Sequence, residues 1–165
     1  MKALFITLKE LKRKSIFDGN IDADKLIQFV EVAQDTNIQT YLGTALYEKL
    51  QADIIADSLT GDYLTLVNDH IKPMLIWYTQ AAYIPYAAYQ ISNGGIYKHN
   101  SENAESVDKE EIVTLTEHAT ETAEFYTQRF VDYMNYNSNL FPEFITNQED
   151  GMHPQRDINF TGWVL

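Results

Sequence analysis

One stretch, Pro73 to Ile91 (PMLIWYTQAAYIPYAAYQI), has no charged residue and places apolar side chains on every side of a helical wheel. A helix that is apolar all round must be covered by other elements. Its length approaches the roughly 20 residues of a membrane span. Thr79, Gln80, Gln90 and the tyrosines make it too polar for lipid, and no other stretch is hydrophobic enough to accompany it. The pattern therefore predicts the central helix of a helical domain. Pro85, inside it, predicts a kink.

The other periodic stretches supply the cover. Residues 1–7 read as extended. Thr7 caps a short helix over Leu8–Lys14, with Glu10 as its capping-box partner. After the Asp18-Gly19-Asn20 turn, Leu26, Ile27, Val30, Ala33, Ile38, Tyr41 and Leu42 recur at three- and four-residue spacing, an amphipathic stripe. Gly43 ends that helix and Thr44 is placed to cap the next, Ala45 to about Ala56, whose inner face holds Leu46, Leu50 and Ile54. A further helix from Tyr63 to about His70 turns Leu64, Val67 and Ile71 inward. Ser92-Asn93-Gly94-Gly95 stops the central helix, and Ile96–His99 reads as a short strand or extended link. The longest helix runs from about Lys109 to Tyr136. Its stripe is Ile112, Leu115, Ala119, Ala123, Tyr126, Phe130 and Tyr133, and acidic residues fill its first turn. The expected fold is all-α, a bundle of about four to five helices over residues 1–139, with an N-terminal arm and short helix over 1–20. Residues 140–165 lack a helical period and read as an extended C-terminal tail. It is too apolar at FTGWVL to float freely. Its length and position favour docking on a neighbouring copy over docking on its own body.

Charge adds direction to this picture. The formal net charge is -12, which argues against a nucleic-acid-binding surface. Lys2, Lys9, Lys12, Arg13 and Lys14 oppose only Glu10 in the first 14 residues, a net +4 that leaves -16 on the rest. A basic arm on an acidic body suits head-to-tail contact between copies and equally a solvated N-terminus. Eleven tyrosines suit interfaces and equally the polar margin of a core. With no cysteine there is no disulfide framework, and the short apolar run Ala3–Leu8 is not a signal peptide.

Candidate chemistry is sparse. Ferritin-like sites need Glu-x-x-His pairs, and the nearest residues here are Glu117, His118, Glu121 and Glu124, which read as a solvated helix face. Asp53, Asp57, Asp62 and Asp69 lack the order and glycine of a calcium loop. His70, His99, His118 and His153 are scattered. No nucleophile elbow, phosphate loop or dinucleotide fingerprint is present. The chain reads as a non-enzyme that needs no cofactor or metal.

The segment IDADKLIQFVEVAQDTNIQTYLGTALYEKLQADI, preceded by FITLKELKRKSIFDGNID, is followed by the tyrosine-rich helix, the break ISNGGIYK, SENAESVDKEE and AEFYTQRFVDYM. In this order the segments resemble the small head–tail connector (adaptor, or ring) proteins of tailed bacteriophages. The version in Bacteroides-infecting phages, including crAss-like phages, is the most similar. The resemblance covers about residues 3–145. Its most specific part is LGT-x-LY-x-KL: Leu42, Gly43, Thr44, Leu46, Tyr47, Lys49 and Leu50. It implies a virion structural protein, made in the host cytoplasm and located at the neck. There it would form a ring, commonly a dodecamer, bind the portal protein and the next neck or tail ring protein, and pass DNA without specific binding. No membrane is implied. The family pattern fixes no interface residue. Composition and position nominate Lys12, Arg13, Lys14, Tyr97, Lys98, Phe141, Phe144, Phe160, Trp163 and Leu165. Two other readings remain: a small acidic binding protein, such as a DNA mimic or inhibitor, and a metal-dependent helical enzyme.

Overall fold

The computed structural model describes residues 2–17, 20–87, 89–92, 95–98, 108–146 and 151–157. The fold is an all-α bundle. In chain order it comprises α1 (Leu8–Lys14), α2 (Ala23–Ala33), α3 (Gln39–Leu42), α4 (Thr44–Ile55), α5 (Gly61–Thr65), α6 (Lys72–Ala87), α7 (Lys109–Asn137) and α8 (Pro142–Ile145). Between α6 and α7 sits one antiparallel hairpin, β1 (Tyr89–Ser92) and β2 (Gly95–Lys98), in which Tyr89 faces Lys98 and Ser92 faces Gly95. The central helix is thus shorter than its apolar run. It ends at Ala87, two residues after Pro85, and the chain continues as strand.

α6 is the core. Met74, Leu75, Ile76, Thr79, Gln80 and Ile84 are buried around it. α7 packs along one side and α2 along another. Thr79 and Gln80 lie inside because each returns a hydrogen bond to the carbonyl one turn back, Leu75 and Ile76 respectively. No described helix is long and apolar enough to cross a membrane.

Two π-helical turns explain where the apolar stripe departs from ideal period. One, Gln34–Ile38, joins α2 to α3, and the other, Leu66–Ile71, joins α5 to α6. A π turn adds a residue to the helical repeat and rotates what precedes it. Accordingly Leu66, Val67 and Ile71 are buried while Leu64, expected inward, is exposed. In α7 the buried face is Ala119, Ala123, Thr127, Phe130, Val131 and Met134. Tyr126 and Tyr133 are half-buried, and Leu115, expected in the stripe, is exposed. The helix starts with the full capping box of Asp108 and Glu111.

The N-terminal arm and the described residues after α7 lie on their own body. Ala3, Phe5 and Ile6 of the arm are buried. The buried Gln34 side chain clasps the arm as a strand would: its Oε1 accepts from Phe5 N at 2.9 Å and its Nε2 donates to the Ala3 carbonyl at 2.9 Å. The same Nε2 lies 3.1 Å from the Tyr47 hydroxyl, which donates to Asp35 Oδ1 at 2.8 Å. Gln80 Oε1 accepts from Ile16 N at 3.1 Å, so a second core glutamine holds the far end of α1. The first residues of the expected extended tail fold: a 3-10 turn, Ser138–Leu140, leads into α8, and Phe141 and Phe144 enter the common core.

Gln34→Leu keeps the volume of the clasp but orphans Phe5 N–H in the interior, since Ala3 O retains Gln51 as a donor. It should lower stability by about 1–3 kcal/mol, read by urea denaturation. A loss below about 0.5 kcal/mol, the range of ordinary surface changes, would mean the arm does not depend on Gln34.

His70 supplies a pH-dependent contact. Its ring stacks on Tyr133, with centroids 4.0 Å apart and planes 22° apart. Among the described residues its buried Nδ1 has no hydrogen-bond partner. Burial, and then the Arg129 charge, push its pKa below the ordinary value against an opposing pull from Asp69. The folded chain therefore favours the neutral ring. This contribution is complete above the unfolded pKa of about 6.5 and is lost as pH falls through the lower folded value. Between pH 7 and pH 5 the Tm of the wild type should fall further than that of His70→Phe, which keeps a ring but cannot titrate. Parallel Tm curves for the two proteins would remove His70 from the account.

Candidate interaction surfaces

Three features stand outside the core: the basic face of α1, an open groove beside the N-terminal half of α7, and the corner between α3 and α4.

α1 forms because Thr7 caps it, with Oγ1 accepting from Glu10 N at 3.2 Å, and because Leu11 is fully buried beneath it. Glu10 pairs with Lys14 at 2.8 Å and with Lys72 of α6 at 2.9 Å, so its side chain joins helices instead of closing a capping box. Burial raises its pKa, but hydrogen bonds from both lysines outweigh this and hold the carboxyl below its ordinary value. Lys12 is half-buried and its ammonium donates to the Ile21 carbonyl. Lys9 and Arg13 are exposed one turn apart, and Ile16 follows with 68% of its surface exposed.

The groove has a volume of about 710 Å³ and opens where α6 gives way to the hairpin. Its floor is apolar, from Pro85, Tyr89, Ile112 and Val113. One wall is acidic, from Glu117, Glu121 and Glu124, and Lys109 is the single cation among the groove's described lining residues. It exists because α7, with 29 residues, is far longer than α6, with 16. At 1.5 Å per residue α7 overruns its partner by about 20 Å. No side chain before Ala119 is buried in α7. A smaller apolar recess on the other side of the overrun joins Ile16 and Phe17 to Tyr83, Ile84 and Leu115. Val113, Leu115, Tyr86, Tyr89 and Ile16 are all exposed around this end of the molecule.

The third feature is a socket. Gly43 has φ +74° and its Cα faces Pro154: a Cβ there would stand 2.7 Å from Pro154 Cδ and Cγ. Thr44 was expected to cap α4, but Gly43 holds the cap position. Thr44 Oγ1 instead accepts from Met152 N at 2.8 Å, while Thr44 N donates to the Met152 carbonyl at 2.9 Å. Gln155 N donates to the Thr40 carbonyl at 3.0 Å, and Arg156 covers the Phe144 ring at 5.6 Å. Residues 151–157 thus dock on their own chain, not on a neighbour, because the corner offers main-chain partners and a side-chain-free surface for proline. The Gly43-Thr44 pair inside LGT-x-LY-x-KL carries this contact.

Of the nominated interaction residues, Arg13 and Lys14 are exposed and Lys12 is half-buried. Phe141 and Phe144 are corrected: both are buried in the core, Phe141 stacking edge-on against Tyr63 at 5.3 Å. The Tyr63 hydroxyl donates to Glu143 at 2.8 Å, and burial together with that carboxylate pushes its pKa up to about 12. The backbone of Tyr97 and Lys98 pairs with Gln90 and Tyr89 in the hairpin, while their side chains lie outside the described residues. Phe160, Trp163 and Leu165 also lie outside the described residues. Glu117, His118 and Glu121 are exposed. Among the described residues no group of three or more His, Asp or Glu side chains gathers as a metal site would need. Sequence reasoning missed the groove and the socket. The signal for the groove was the mismatch between a 19-residue apolar run and a longer amphipathic helix.

Gly43→Ala should cost more than Gly61→Ala. Both positions have positive φ, but at Gly61 an added Cβ meets nothing within 4 Å. The backbone penalty is about 1–2 kcal/mol at each, and only Gly43 adds the collision. In a Pro154→Ala background the cost of Gly43→Ala should fall toward that of Gly61→Ala, measured as a double-mutant cycle. Equal costs in both backgrounds would mean Pro154 is not seated on Gly43.

No curated protein and no solved structure matches the chain. A family model matches residues 38–151, a span that includes the corner, α6, α7 and α8, and on that match the chain belongs to the family of unknown function DUF6712.

Proposed function

We propose that this protein is a structural component of a phage virion: a neck ring that joins the portal to the tail and encloses the DNA path. The observation that carries the reading is the uncovered apolar end of the bundle. Ile16, Tyr86, Tyr89, Val113 and Leu115 are exposed together where α7 overruns α6. Clustered exposed apolar side chains mark surfaces that are covered in an assembly. The charge distribution supports it as well. A net -16 outside the first 14 residues repels DNA phosphates, which suits a wall that DNA must pass without sticking. The resemblance to head–tail connector proteins supplies the kind of assembly, and the LGT-x-LY-x-KL element on which it rests has a mechanical job in this fold.

Native mass spectrometry of the protein, alone and mixed with the portal protein encoded with it, tests the reading. Ring-sized oligomers, alone or on the portal, are expected. A strict monomer that ignores the portal overturns it.

A further inference from the structure

The basic face of α1 and the acidic wall of the groove share one spacing. Lys9 and Arg13 are four residues apart on α1, and Glu121 and Glu117 are four residues apart on α7. On a helix, four residues rise roughly 6 Å and remain on one face. Laid antiparallel, the two rows bring Lys9 to Glu121 and Arg13 to Glu117. Ile16 follows α1 beyond the extended Ser15, and Val113 lies one turn before Glu117, so the two apolar residues fall at the same end of the paired charges. Every one of these six residues is exposed.

In its own chain the α1 segment adjoins the groove without filling it: Ile16 lines the neighbouring recess with Ile112 and Leu115, while the groove itself is lined by Ile112, Val113, Glu117 and Glu121. α1 is tied along α6 through Lys72 at one end and Gln80 at the other. α7 lies elsewhere around α6, where Tyr78 meets Thr127 at 3.1 Å. Pro85, in the floor of the groove, is about 140° around α6 from Gln80. A chain cannot fold its own α1 into this groove while Gln80 holds Ile16 and Gln34 holds Phe5. A second copy can present it, and a contact between two different surfaces propagates head to tail, closing into a ring when the rotation allows.

We propose that the α7 groove receives α1 of a second copy, with Lys9 and Arg13 against Glu121 and Glu117 and Ile16 on the apolar floor at Val113. The proposal rests on the ring reading above and names the contact between neighbouring copies. The carboxylates select a basic partner, and the apolar floor adds the burial that exposed ion pairs by themselves do not provide. Because the ion pairs are at the rim, raising salt from 0.05 M to 0.5 M weakens the assembly.

The test is a charge swap. Lys9→Glu with Arg13→Glu, and separately Glu117→Lys with Glu121→Lys, should each weaken self-association roughly tenfold or more. Association is read by native mass spectrometry, alone and on the portal protein, with circular dichroism to confirm that each variant is folded. Mixing the two variants, or combining all four substitutions in one chain, should recover the assembly. Because the six positions are exposed, the fold should tolerate every variant. Assembly of either double variant at wild-type strength overturns this contact and leaves the ring reading in place. So does failure of the fourfold variant, folded but monomeric, to recover. A wild type that stays monomeric alone and with the portal overturns both. Ile16→Asp should weaken assembly without a charge partner to rescue it, and an unaffected variant would remove the apolar half of the contact.

Discussion

A helix without a polar face has to be covered from every direction, and α6 imposes that requirement on the rest of the chain. α7 covers one side, and α2 with its π turn covers another. The arm and α1 close a third, through Phe17 against Tyr83 and Ile16 on Gln80. This explains why a chain end that reads as a loose basic arm is instead part of the core. Leaving it free would expose Phe5, Ile6 and Leu11, which belong to the common core. The cost is the burial of extended backbone, whose N–H and C=O groups need partners. Gln34 and Gln80 meet this need, so the two fully buried glutamines belong to the same constraint as the apolar side chains around them.

The C-terminal corner solves a related problem with different chemistry. Here the docked segment is not apolar, and the contact is held by main-chain hydrogen bonds around Thr44 and by proline against glycine. Gly43 is needed twice. Its positive φ lets α3 turn into α4, and its missing Cβ gives Pro154 its seat. A helix–Gly–helix signature is usually read only as a turn. In this chain the residue after the glycine, Thr44, is kept polar by the segment that returns 108 positions later.

Much of the architecture was legible because amphipathic period is a strong signal. The Thr7 cap, the Gly43 break and the apolar helix from Pro73 all appear in the sequence and in the fold. What was illegible has physical causes. A π turn inserts a phase step that a fixed 100° wheel cannot show, so Leu64 was assigned inward and is exposed. Tyr89–Ile91 continue the apolar composition of α6 while Pro85 and the following Asn-Gly pair favour a helix end and a two-residue hairpin. Phe141 and Phe144 sit in a segment with no period. Burial of such residues is decided by contacts with Tyr63 and α4, far away in sequence. The surfaces were half legible. The basic residues of α1 are identifiable from charge alone, and the exposed Glu117, His118 and Glu121 agree with the reading of that stretch as a solvated face; the groove beside them is not legible because it depends on the register of α7 against α6.

That register is what separates core from surface in α7. The helix keeps one capping box and one continuous backbone from Lys109 to Asn137, yet its two halves do different work. From Ala119 onward small or apolar residues face α6 at close range, with alanines at 119 and 123 and Thr127 bonded to Tyr78. Small residues let two helices approach, and that approach fixes the angle at which the first half leaves the bundle. The first half, with Val113 and Leu115 exposed, Ile112 half-buried and carboxylates at 110, 111, 117 and 121, carries no fully buried side chain. Its capping box and the rigid half behind it hold it in place. A surface built this way is preorganised: a partner meets a helix already ordered, and little conformational entropy is lost on binding. The same rigid coupling means that Phe130 and Met134, deep in the core and touching no partner, set the position of Glu117 and Glu121 at the rim.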